Sequence, residues 1–241
     1  MELFDDARQG LDFVFRYGHV LSGITWIGLL YFFNFVQTPA YAELSDTARP
    51  EALRKVTFRA LWWFRWAAMA TFLFGLALIL VKEEIGDYFD SSQGLSISTG
   101  ILFGITMLAN VWMIIWPNQK IVIGSAESVA NGGQANPDAP AAAKKGARAS
   151  RANTFMSITM LWFMVFTPHF APNFGTDNKG LYYILLLVCW AFIEGSALGF
   201  IGGLDSPFNK AVFDKHQNTI RYGFAFLVVF YIVGWELIIG G

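Results

Sequence analysis

Cysteine and charge are both scarce in this sequence of 241 residues. Its one cysteine, Cys189, permits neither an intrachain disulfide nor a CxxCH haem-attachment site, so we expect no covalent c-type haem. Charged residues make up 15% of the chain, whereas a soluble domain carries about 25%. A net charge of −1 argues against a nucleic-acid surface. The sequence also lacks a Walker loop, an HExxH pattern and a GxSxG elbow, so nucleotide hydrolysis and nucleophilic catalysis have no support.

Apolar residues, in contrast, make up 55% of the chain and gather into long runs. A membrane-spanning helix needs roughly 20 predominantly apolar residues. We therefore predict an all-α integral membrane bundle of six transmembrane helices, forming a single polytopic domain over residues 1–241. The predicted spans are approximately 12–36, 58–81, 96–116, 153–170, 181–203 and 220–239.

The third and fourth spans are separated by an Ala-, Gly-, Ser- and Asn-rich stretch, which predicts a mobile loop at about 124–150. The first ten residues, MELFDDARQG, lack the basic region and cleavage site of a signal peptide, so the first span is expected to be retained. We place the protein in a bacterial inner membrane, surrounded by the lipid bilayer.

Lysine and arginine are distributed unevenly between the two predicted sides, and basic loops tend to be cytoplasmic. Of the 17 such residues, one side has only Arg8, Arg16, Lys82 and Lys179. Both termini are therefore predicted to be periplasmic. Arg65, near the inner end of the second span, is expected to make cation–π contacts with neighbouring tryptophans. The residues on the basic side are Arg49, Arg54, Lys55, Arg59, Lys120, Lys144, Lys145, Arg148, Arg151, Lys210, Lys215 and Arg221.

A histidine inside the first span is the leading site candidate. His19 shares one helical face with Ser22, Gly23 and Trp26 by the i, i+3, i+4, i+7 rule. Small residues beside a histidine allow a flat macrocycle to approach, so His19, Gly23 and Trp26 are candidate haem-binding residues, with His19 as the iron ligand. The alternative is structural, because small residues and a lone histidine also serve helix packing in membranes.

Two further ionisable residues are candidates. His169, between two prolines at the end of the fourth span, is the only other histidine at a similar predicted depth, and we consider it as a second iron ligand. Alternatively, a methionine supplies the second iron ligand, and His169 only forms hydrogen bonds at the membrane interface. Glu194, near the middle of the fifth predicted span, is a candidate catalytic, proton-handling group, since intramembrane carboxyl groups are often functional.

Several segments resemble a known family: GHVLSGITWIGLLYFFNFVQ in the first span, NVWMIIWPNQK at the end of the third, and ASRANTFMSITMLWFM leading into the fourth. They are similar to the membrane domain of bacterial membrane-bound urate oxidase (urate hydroxylase), over about residues 13–170 and more loosely to the end. That family has a C-terminal c-type cytochrome, which these 241 residues do not contain. The first-span pattern is also distantly similar to small membrane haem proteins of the protoporphyrinogen oxidase type.

The resemblance implies a membrane redox protein that passes electrons to cytochrome c on the outer face. The leading hypothesis is therefore a protein with haem b bound through His19, a possible oxidoreductase with a separate cytochrome c as its acceptor. Urate is doubtful as a substrate, because no cluster of donors and acceptors suited to a purine is evident. The alternative is a non-catalytic accessory subunit of a larger respiratory or photosynthetic membrane complex, and a small-solute transporter is a third possibility.

Overall fold

Helices dominate the chain. The computed structural model describes residues 6–82, 84–171 and 177–240, and this part of the chain contains no β-strand, which confirms the all-α prediction there. Its helices, labelled α1 to α8 in chain order, are Ala7–Glu43, Ala48–Leu80, Ile85–Asp90, Ser92–Ala130, Ala139–His169, Lys179–Ala197, Pro207–Phe213 and His216–Ile239.

Within these residues, five helices are long and apolar enough to cross a membrane, namely α1, α2, α4, α6 and α8. Such helices imply a lipid bilayer environment. The predicted fourth span lies in α5, which is 31 residues long but is not among the five. Polar residues explain the difference, because Asn153, Thr154, Ser157 and Thr159 lie on α5 and are all fully buried.

The stretch predicted as a mobile loop is mostly helical, so the loop prediction is wrong for its backbone. α4 continues to Ala130 and α5 begins at Ala139, which leaves only residues 131–138 between them. Alanine is the strongest helix former, and the run from Ala139 to Ala149 is rich in it. The low-complexity composition was therefore a poor guide to the backbone here.

Short π-helical segments lie inside three of the long helices, at Phe32–Gln37 in α1, Leu53–Thr57 in α2 and Asn110–Ile115 in α4, and a longer one, Tyr231–Ile239, ends α8. In α1 and α4 a proline follows the segment within two residues, at Pro39 and Pro117. A proline ring clashes with the carbonyl four residues earlier, and a wider turn relieves that clash.

The chain divides into two compact units. The first consists of residues 1–83 with 108–150, and the second of residues 84–107 with 151–241. α4 and α5 each contribute one part to both units. The prediction of a single domain over residues 1–241 stays a prediction.

In the first unit α1 and α2 pack as antiparallel partners. The ring of Phe33 meets Phe64 edge to face at 5.3 Å, while Thr57 donates to the side chain of Gln37 at 3.1 Å. At the other end of the pair, a Cβ added to Gly18 would lie 2.7 Å from the ring of Phe74. Glycine therefore permits the close approach of the two helices at this level.

Polar contacts define two ends of the second unit. At the first, which we call the Asp90 end, Lys179 pairs with Asp90 at 2.5 Å and the amide of Asn178 donates to the carbonyl of Ile238 at 3.0 Å. At the second, the Arg151 end, Arg151 donates to the carbonyls of Phe213 and Asp214 at 3.2 and 3.0 Å.

α5 runs from one end of the second unit to the other. Arg151 lies at one end of this stretch of α5. Near the Asp90 end, the hydroxyl group of Thr167 forms a hydrogen bond of 2.8 Å with that of Ser96. Between these points the amide of Asn153 donates to the carbonyl of Met107 at 2.9 Å. α4 and α5 are therefore antiparallel in this unit. The aromatic core around α5 includes Phe163, Phe166, Phe230, Tyr182 and Trp235.

Candidate functional site

His19 lies in the first unit, on the face of α1 that meets α2. Its Nδ1 is 2.8 Å from the carbonyl oxygen of Thr71. Because a carbonyl oxygen only accepts, the Nδ1–H of His19 is the donor in this bond. In the neutral imidazole that proton fixes the tautomer and leaves the Nε2 lone pair unused by this contact.

A glycine on α2 makes room for the imidazole. A Cβ added to Gly75 would lie 3.0 Å from Cε1 and 3.1 Å from Nδ1 of His19, closer than most real Cβ contacts. Thr71 and Gly75 are four residues apart, so both lie on the face of α2 that meets the ring. The imidazole therefore sits over a gap in the side-chain surface of α2, with its orientation set by the Thr71 carbonyl.

The other residues predicted on this face are used mainly for packing and local hydrogen bonding. A Cβ added to Gly23 would meet the methyl group of Thr71 at 3.8 Å, an ordinary contact. Ser22 donates to the carbonyl of Gly18 at 2.6 Å. This face of α1 is thus turned towards α2, which agrees with the alternative role of these residues in helix packing.

Trp26, two turns further along α1, is only 3% exposed. Its buried Nε1–H has no hydrogen-bond partner among the residues that the structure describes. A buried donor of this kind is costly unless an acceptor is supplied. Trp26 therefore presents a donor that a bound carboxylate or water would satisfy.

His169 belongs to the second unit, where it ends α5. Its side chain is exposed, and its Nδ1 lies 3.0 Å from the carbonyl oxygen of Val165, one turn earlier. The Nδ1–H donates here too, so Nε2 is again the nitrogen left available. His19 and His169 lie in different units, and their pairing stays a prediction.

Glu194 lies in the last turn of α6, because that helix ends at Ala197. The predicted span at 181–203 was too long, since the chain turns at Gly199, Gly202 and Gly203, all with positive φ. Glu194 is 9% exposed and therefore buried, although it is not at the middle of a span. It lies towards the Arg151 end, whereas His169 lies at the other end of the same unit.

The hydrogen bond of the His19 ring is of the kind that metal-binding histidines make. Histidines that bind metals usually donate their second ring N–H to a carbonyl or carboxylate, which orients the ring and raises its basicity. His19 has this arrangement with Thr71. A haem iron needs one or two such ligands from the protein. Over the described ranges no group of three or more His, Cys, Asp and Glu residues could hold a free metal ion.

Residues 84–196 match the family model for the urate oxidase N-terminal region. The resemblance is thereby confirmed over this range, which includes the segment NVWMIIWPNQK as well as His169 and Glu194. Residues 84–196 are therefore similar to the N-terminal region of urate oxidase. The match does not include His19, Gly23 or Trp26. No curated protein and no solved structure matches the chain.

The sequence pointed to His19 but not to its partners. Thr71 and Gly75 form a small-xxx-small pair, the spacing at which membrane helices approach closely. That spacing could have marked this face of α2 as a packing surface. Which helix faces α1, however, is a tertiary property that spacing within one helix does not contain.

Proposed function

We propose that this protein is a membrane-bound haem-b redox protein resembling the urate hydroxylase membrane domain, in which His19 ligates the iron through Nε2. The hydrogen bond from His19 Nδ1 to the Thr71 carbonyl, at 2.8 Å, is the observation that carries the proposal. Gly75 leaves room for the ring, and the buried Nε1–H of Trp26 offers a donor to a carboxylate. When bound, haem supplies reversible one-electron transfer.

The proposed topology is six spans in a bacterial inner membrane, with both termini periplasmic. The excess of Lys and Arg on one predicted side supports it. So does the course of α5, which runs between the two ends of the second unit although it is less apolar than the other spans. Residues 1–5 and 241, at the termini themselves, lie outside the described residues.

Electrons leave, in this proposal, to a periplasmic cytochrome c outside these 241 residues. His19 lies 12 residues after the start of α1. Its hydrogen-bond partner Thr71 lies near the middle of the apolar part of α2, on the outer side of Arg65. Glu194 is proposed to handle protons, supported by its burial and by the family match that covers it.

Electron transfer can be tested with the purified full chain. We expect protein from haem-sufficient cells, reduced with dithionite and freed of excess reductant, to reduce added soluble cytochrome c. His19→Ala should abolish this reaction, because it removes the proposed ligand, whereas His216→Ala, at the start of α8, serves as the matched control. Equal reduction by wild type and His19→Ala would contradict the proposal.

One observation favours the second candidate, a non-catalytic accessory subunit of a larger membrane complex. The bond between His19 and Thr71 joins α1 to α2, and a histidine can serve helix packing alone, where such bonds contribute about 0.6 kcal/mol on average. Co-purification with stoichiometric partners and no pigment in this chain would support that candidate.

A further inference from the structure

Arg65 is a charged residue at an unusual place in α2. The 16 residues that follow it, up to Val81, contain no charge, and Lys82 is next. At about 1.5 Å per residue, Arg65 and Lys82 are roughly 25 Å apart along the helix. This is close to the thickness of a bilayer core of about 30 Å. This spacing favours a position of Arg65 near the membrane interface, on the basic side.

Indole rings surround its guanidinium group. The Cζ atom of Arg65 lies 4.0 Å from the ring centroid of Trp116, 5.0 Å from that of Trp112 and 5.8 Å from that of Trp66. A second cation shares the first ring, since the Nζ atom of Lys120 lies 5.6 Å from the centroid of Trp116. All of these residues belong to the first unit. Two cations are thus held together on the aromatic surface formed by α2 and α4.

The two cations are not matched by an anion in the described part of the chain. Within residues 6–82, 84–171 and 177–240, the interactions of Arg65 are the ring contacts above, and its Nε has no hydrogen-bond partner. The adjacent Nε1 of Trp112 is likewise buried without an acceptor there. No acidic residue occurs between Ala52 and Lys82. A guanidinium has five N–H donors, so this cluster has a surplus of donors and positive charge.

The surroundings indicate where the missing acceptor comes from. Trp62, Trp63 and Trp66 are 48%, 60% and 46% exposed on the same part of α2. Exposed tryptophans at the end of a span occupy the headgroup level of a bilayer. The groups that meet a guanidinium at that level are lipid phosphates, which accept its N–H groups in charge-assisted bonds.

We propose that Arg65 and Lys120, held by the rings of Trp112 and Trp116, form a binding site for the phosphate of an acidic phospholipid. The Arg65 guanidinium supplies the directed donors, and Lys120 adds a second positive charge. The tryptophan rings hold the arginine side chain in place and cover the start of the acyl chains. The site does not depend on haem binding.

The test uses thermal unfolding of the purified full chain in neutral detergent with added lipid. Phosphatidylglycerol should raise the Tm of the wild type more than phosphatidylcholine does. Arg65→Gln should require about fivefold more phosphatidylglycerol for the same half-maximal rise, the equivalent of one lost basic contact. Arg59→Gln, which removes the same charge from an exposed position on α2, should behave like the wild type.

If Arg65→Gln does not fold, a second pair of variants tests the same site. Lys120 and Lys145 are both exposed and belong to the same unit. Lys120→Gln should reduce the rise in Tm with phosphatidylglycerol, whereas Lys145→Gln should not. Equal effects of the two lipids on the wild type, or unchanged responses of Arg65→Gln and Lys120→Gln, would overturn the site. A similar Tm rise with inorganic phosphate alone would overturn the lipid assignment in favour of a free-anion site.

Discussion

At the scale of single residues, the orientation of the His19 ring is the feature on which the proposed function depends. The Thr71 carbonyl holds the proton on Nδ1, so that Nε2 keeps its lone pair. An imidazole turned the other way would present a proton to an iron atom. The carbonyl therefore acts through His19, as a positioning group.

Gly75 gives a direct test of this positioning. Gly75→Ala places a methyl group about 3.0 Å from the ring, so we expect the imidazole to move and the bond to Thr71 to weaken. Overpacking of this kind typically costs about 1–3 kcal/mol. The expected result is a shifted haem α band and lower haem retention on gel filtration.

The matched control is Gly28→Ala on α1, where a Cβ would meet nothing within 4 Å. It should keep the wild-type spectrum and haem content. If Gly75→Ala were indistinguishable from Gly28→Ala, the orientation of His19 would have no role in haem binding.

The same residue shows how far sequence reasoning reached. A histidine beside small residues in an apolar run was sufficient to single out His19. Thr71 and Gly75 were missed because they lie 52 and 56 positions further along the chain, and no local pattern connects them to His19. Contacts within one helix follow from spacing, whereas contacts between helices depend on which faces pack together.

At the scale of elements, the apolar runs located α1, α2, α4, α6 and α8 well, because helices that face lipid must be apolar. Their ends were less accurate. The helices α1 and α4 extend beyond the apolar runs, to Glu43 and Ala130, since a helix can continue past the membrane wherever its residues favour it. α6, in contrast, stops at Ala197 because the glycines that follow adopt positive φ.

α5 is the element for which hydropathy is least informative. Its buried polar residues face other helices, and Asn153 and Thr167 find partners on α4. A helix enclosed by protein does not need a fully apolar surface. The mean hydropathy of α5 is therefore lower than that of the other spans, although its position in the second unit resembles that of a span. The six-span proposal therefore depends on whether α5 crosses the membrane.

At the scale of the whole molecule, the number of spans decides which segments face the same side. The single cysteine makes this testable, because Cys189→Ser provides a background without thiols. On that background we expect Asp87→Cys and Asn178→Cys to react with an impermeant maleimide added to intact spheroplasts. Ser45→Cys and Ala135→Cys should react only after permeabilisation.

The positions 135 and 178 flank α5, so they distinguish six spans from five. Labelling of both from the same side would show that α5 does not cross. Labelling of Ser45→Cys from outside and of Asp87→Cys only after permeabilisation would reverse the proposed orientation. All four positions are exposed, so failure to react reports the side of the membrane and not burial in the protein.

The central claim, haem bound through His19, is tested most directly by the reduced-minus-oxidised visible spectrum of the purified chain, with a pyridine haemochrome assay. The wild type from haem-sufficient cells should show a b-type α band. This band should be lost in His19→Ala and kept in His216→Ala. A colourless wild type, or an unchanged band in His19→Ala, would contradict the claim and leave the accessory-subunit role as the better account.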